Sequence, residues 1–138
     1  MPIHWNESLS VGNSRIDSDH KHLISIINMV ERAVQSKDFN LLSNQLAKLS
    51  HYADIHFRSE ELIALSANYP DCEHMHISHV ALSEILDQCR RKIDDTGITS
   101  KIADDIIKLL RSWLLDHVIK EDLKMKPYLT KYTPALGQ

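Results

Sequence analysis

The chain has 138 residues, 43% of them hydrophobic and 25% charged, with a net charge of −3; this is the make-up expected of one soluble globular domain spanning residues 1–138. A mildly acidic balance without a basic stripe argues against nucleic acid as a partner, and no run approaches the ~20 apolar residues that a membrane span needs. Met1 to Asn6 show no signal-peptide pattern, and two cysteines without a CxxC spacing, Cys72 and Cys89, suit a reducing cytoplasm.

The first eleven residues lack periodicity and read as an extended arm anchored by Trp5. A first helix is expected from about Asp17 to Ser36, with His20, Leu23, Ile24, Ile27, Glu31 and Val34 at the i, i+3, i+4, i+7 spacing of one face. Asp38 is a suitable N-cap for a second, which runs to about Ala67 with Leu42, Leu46, Leu49, Ala53, His56 and Glu60 inward. Asn68-Tyr69-Pro70-Asp71 breaks it, because the residue before proline resists helical geometry. The third runs from about Asp71 to Asp94 and turns Met75, His79, Leu82, Leu86, Cys89 and Ile93 inward. After a turn at Asp95-Thr96-Gly97, the fourth runs from about Ser100 to Lys120 with Ile102, Ile106, Leu109, Leu110, Trp113 and His117 inward. A short fifth helix is expected before Pro134. Strand signals are absent, and the expectation is an all-α, up-down-up-down antiparallel four-helix bundle with an extended N-terminal arm and a short C-terminal helix.

Nine histidines stand against about three in an ordinary chain of this length. Several fall where each helix supplies a donor to one core: His20, the pair His56 and Glu60, His79, and the pair His117 and Asp122. His56 and Glu60 are four apart and leave one helix face together. His117 and Asp122 are five apart, about 140° around an ideal helix, so both reach one centre only with help from the helix end. Imidazole and carboxylate together suit iron, zinc, manganese or copper, whereas calcium would take nearly all oxygen. One such histidine would more often be a hydrogen-bonded core residue. Four clusters on four helices favour metal, because burying several ionisable groups together without a cation is costly.

With these pieces in view, the sequence resembles the hemerythrins, bacterial hemerythrin-like proteins in particular. The resemblance rests on Trp5 with Val11-Gly12, Ile16-Asp17-Ser18-Asp19-His20-Lys21, and His56-Phe57-Arg58-Ser59-Glu60-Glu61. It continues through Tyr69-Pro70, His79, Trp113-Leu114-Leu115-Asp116-His117 and Asp122, over nearly the whole chain in order. It implies two iron ions in a non-haem centre, oxo- or hydroxo-bridged, that binds dioxygen or another small diatomic ligand reversibly. By the same resemblance Glu60 and Asp122 bridge the irons, His20 and His56 serve one, and His79 and His117 the other. Leu23, Ile24, Ile27, Trp113 and Leu114, chiefly core residues, form with Met75 the ligand pocket, a dry wall against water and stray protons.

One position departs from the family. A histidine is expected four residues before His79, and Met75 stands there. Three fillers are open: His76, which lies about 60° from His79 on an ideal helix and needs a slight rotation, the Met75 sulfur, or water. A thioether is a poor match for the harder irons, and Met75 reads equally well as core. His74 lies about 140° away and faces solvent, as does His22 with respect to His20; His4 and His51 have no partner at ligand spacing. With neither Met75 nor His76 bound, both irons would keep exchangeable positions. This raises the alternative of a di-iron enzyme or sensor that reacts with peroxide or nitric oxide. Carriage, storage or delivery of oxygen is the leading expectation, an enzyme the less favoured one, and sensing would call on a separate protein partner.

Overall fold

The computed structural model describes residues 2–129. The helices are α1 (Ser14–Gln35), α2 (Phe39–Ser66), α3 (Cys72–Thr96) and α4 (Ser100–Ser112), and the last continues into a π-helical stretch, Trp113–Ile119. Two single turns follow, α5 (Lys120–Leu123) and α6 (Lys126–Leu129). The expected short helix thus begins earlier and is split; the part nearer Pro134 lies outside the described residues. None of the described helices is long and apolar enough to cross a membrane.

Local chemistry explains the boundaries. The Asn13, Asp38 and Thr99 side chains accept from the backbone N–H of Ile16, Leu41 and Ile102 and so cap α1, α2 and α4. The α1–α2 and α2–α3 turns each place a non-glycine residue in the left-handed region, Lys37 and Asn68, both at φ 57°. The next N–H reaches back to the helix, Asp38 to Ala33 and Tyr69 to Ala64. Gly97, at φ 73°, ends α3 two residues later than the sequence suggests.

α1 packs on α2 and α4, and α2 on α3. The main core holds Leu23, Ile27, Leu42, Leu49, Phe57, Leu86, Leu110 and Trp113, all buried. The Trp113 indole N–H donates to the Leu82 carbonyl at 3.0 Å and ties the fourth helix to α3. A second, smaller core gathers Val11, Ile16, Ala64, Tyr69, Met75, Met125 and Leu129 at one end of the bundle. The N-terminal arm is extended apart from one 3-10 turn at Glu7–Leu9. Its anchors are Ile3 and Val11, both buried, whereas Trp5 is only half-buried against the core. Ile3 gives its N–H to the Asn28 amide oxygen, and the Asn28 amide nitrogen donates to the Ile3 carbonyl. Asp17 accepts from the Val11 N–H and the Ser10 hydroxyl, which folds the arm's end onto α1.

Candidate metal centre

The predicted inward residues of α1, α2 and α3 are buried, except Val34, which is half-buried. With α5 they bring four donors together: His20 from α1, His56 and Glu60 from α2, and Asp122 from α5, all buried, each offering one ligand atom within 4.8 Å of the others. His20 Nε2 lies 2.7 Å from Asp122 Oδ2, and His56 Nε2 lies 2.9 Å from Glu60 Oε2 and 3.6 Å from Asp122 Oδ2. Glu60 turns its other oxygen, Oε1, to His79 Nε2 at 3.0 Å. Its carboxylate therefore stands between an imidazole pair on one side and His79 on the other.

The set fits a cation. His56 Nε2 and Glu60 Oε2, 2.9 Å apart, are both buried atoms without a geometrically satisfied hydrogen bond; His20 Nδ1 is also unpartnered, but the nitrogen that His20 turns to the cluster is Nε2, bonded to Asp122. Buried polar atoms are ordinarily paired, so two orphans facing one another in the cluster call for a further partner. Burial alone would lower the His56 pKa, but the surrounding Asp122, Asp19 and Glu60 carboxylates hold it well above the usual imidazole value. Burial, reinforced by the Asp122 charge, raises Glu60. Burial works against Asp122 too, but its contacts with Glu60, His20 and His56 outweigh this and keep it below the ordinary carboxylate range. A cation at this point would replace the shared protons as the compensating charge.

Two carboxylates that sequence reasoning left without a role hold the imidazoles in place. His56 Nδ1 donates to Asp19 Oδ2 at 2.9 Å, which leaves Nε2 aimed at the cluster. His79 Nδ1 donates to Glu61 Oε2 at 2.8 Å and fixes His79 in the same way. The Phe57 ring stacks on His79 at 4.2 Å between centroids. Asp19 and Glu61 are each next in sequence to a ligand candidate, and that adjacency was the available signal.

Two expected donors lie elsewhere. His117 is exposed. In the π-helical stretch burial recurs at a spacing of five, Trp113 to Val118 and Leu114 to Ile119, instead of three or four. This shift carries Asp122 inward and rotates His117 away; Leu109, also expected inward, is 42% exposed. His76 is exposed as well, and its Nδ1 donates to Glu61 Oε1 at 2.7 Å, on the outer side of the carboxylate that holds His79. Met75 is buried, and it packs in the small core, apart from Leu23, Ile24, Ile27, Trp113 and Leu114 in the main one. A cavity of about 30 Å³ adjoins it, lined among others by Ser78, His79, Glu121 and Asp122. A larger cavity, about 800 Å³, lies at the far end of α1 beside Val34, Ile98 and Ala103 and contains none of these donors.

Comparison with known proteins matches residues 11–129 to the hemerythrin HHE cation binding domain. A hemerythrin-like protein of Naegleria gruberi is 27% identical over 93% of this chain and 94% of its own length. A myohemerythrin of Theromyzon tessulatum is 26% identical over 91% and 92%, and a bacteriohemerythrin of Pseudomonas paraeruginosa 25% identical over 86% and 75%. The crystal structure of a wild-type hemerythrin superposes with a TM-score of 0.80 at 20% identity, covering 94% of this chain and 99% of that one. This last likeness concerns the fold.

Proposed function

The chain belongs to the hemerythrin family, and from that premise we propose that it binds dioxygen reversibly at a non-haem di-iron centre in the bundle core, as a carrier, store or sensor. The observation that carries this reading is the convergence of His20, His56, Glu60 and Asp122, with His56 Nε2 and Glu60 Oε2 both left without a satisfied hydrogen bond. Mixed imidazole and carboxylate donors suit iron. When bound, the iron pair supplies the reversible electron transfer that holding dioxygen requires.

The chain's own residues do the rest. His20, His56 and Asp122 form one side of the centre, and Glu60 spans toward His79 on the other. Asp19 and Glu61 fix the tautomer and angle of His56 and His79, which raises their basicity as ligands. Leu23, Ile24, Ile27, Trp113 and Leu114 keep water and stray protons away from the reacting side. The two free cysteines are compatible with a reducing cytoplasm as the working compartment.

The test is an anaerobic load of the metal-free protein with ferrous ion, followed by oxygen and then by argon. A visible absorption change that appears with oxygen and reverses under argon is the expected result; no change, or one that never reverses, refutes reversible binding. A second reading, a di-iron enzyme acting on peroxide or nitric oxide, is favoured by Met75 at the usual histidine position with a small cavity beside it. Consumption of many equivalents per chain selects that reading instead.

A further inference from the structure

The two sides of the cluster are unequal. Toward α1 and α2, two buried imidazoles, His20 and His56, face both carboxylates at 2.7–3.6 Å. Toward α3 and the fourth helix stands His79 alone, because Met75 offers a thioether packed in the small core. His76 is turned out onto Glu61, and His117 is exposed. The wall of the small cavity on that side also carries Ser78, Glu121, His74 and Lys124. Ser78 Oγ donates to Glu121 Oε2 at 2.5 Å, so these two already satisfy one another. His74 Nε2 is 3.9 Å from the other Glu121 oxygen and largely exposed.

We infer that the centre holds its two cations unequally, one tightly among His20, His56, Glu60 and Asp122, the other weakly beside His79 and Glu60 Oε1. The second cation has one imidazole and a share of the carboxylates, and the rest of its shell comes from solvent through the Met75–Glu121 cavity. It is therefore the exchangeable one. This rests on the cation-binding reading above and goes beyond it, since the family pattern would put the additional imidazole on the His79 side, where Met75 stands instead.

The difference is large. Loss of even an outer-shell partner weakens metal affinity about 10–100-fold, and the second position has one direct imidazole donor where the first has two. A gap of at least about a hundredfold between the two binding steps follows by the same measure.

The experiment is an anaerobic titration of the full metal-free chain with ferrous ion, repeated with zinc as a redox-silent probe. It is read by calorimetry and by metal content after gel filtration. The expected result is one equivalent retained through the column and a second step at least about a hundredfold weaker. His79→Ala should remove the second step and leave the first, and Met75→His should tighten the second. Two steps within tenfold of each other overturn the inference but leave the cation-binding reading intact, as does loss of the first step in His79→Ala. No retained cation at all refutes the underlying reading itself.

Discussion

Asp19 has no expected contact with a cation, yet it decides how well His56 can bind one. Its carboxylate takes the His56 Nδ1 proton at 2.9 Å and is itself held low, burial notwithstanding, by that bond and by the nearby charges of His56 and Arg15. Asp19→Asn keeps the shape but removes the charge, and cation affinity at the first position should fall about 10–100-fold with the helical content unchanged. Competition against a chelating dye, alongside circular dichroism, measures both; unchanged affinity would assign Asp19 a purely structural part. His20, His56 and Glu60 were legible in the sequence because ionisable residues at helix-face spacing have few other reasons to be buried; Asp122, off the regular stripe, was legible only through the family resemblance. Asp19 and Glu61 were not. Each sits about 100° around its helix from the ligand beside it, and only the placement of the neighbouring helix makes it a partner.

The helices themselves could be read closely, since Asp38 announces the start of α2 and Asn68-Tyr69-Pro70 the main break, whereas the Asn13 cap went unread and α1 begins at Ser14, ahead of the expected Asp17. What the sequence concealed is the change of pitch in the fourth helix. Trp113-Leu114-Leu115-Asp116-His117-Val118-Ile119 contains no glycine or proline, and a regular 3.6-residue stripe through it turns His117 inward and leaves Asp122 out. The observed winding does the opposite, because Val118 and Ile119 gain burial from it. Trp113 fixes the start of this stretch through its bond to the Leu82 carbonyl. Trp113→Phe should destabilise the fold by about 1–3 kcal/mol in urea unfolding, from the lost hydrogen bond and the smaller ring. The first cation should still bind, since its donors lie outside that contact; loss of binding together with retained stability would mean that Trp113 sets the phase of Asp122 directly.

Across the whole molecule the polar cluster forms the seam between the main core and the small one. Ile16 precedes His20, Ala64 follows Glu60, Met75 precedes His79, and Met125 follows Asp122, so each chain segment of the small core passes through the donor layer. A cation bound only by the folded form adds stability with its concentration, about 4 kcal/mol at a thousand times its Kd. The gain should be local. Hydrogen exchange with and without cation should show slower exchange near Ile16, Ala64 and Met125 when it is bound, with little change near Leu49 and Leu110. Uniform slowing throughout the chain would contradict a seam.

Asn28 offers a different lever. One side-chain amide satisfies both backbone groups of Ile3, and so does for a loose leading segment what a neighbouring β-strand does elsewhere, in a molecule otherwise built from helices. At its outer end that clasp and the burial of Ile3 hold the arm, while the Asp17 bonds to Ser10 and Val11 hold it where it meets α1. Removing that one amide takes both of Ile3's backbone bonds at once and frees the outer end of the arm alone.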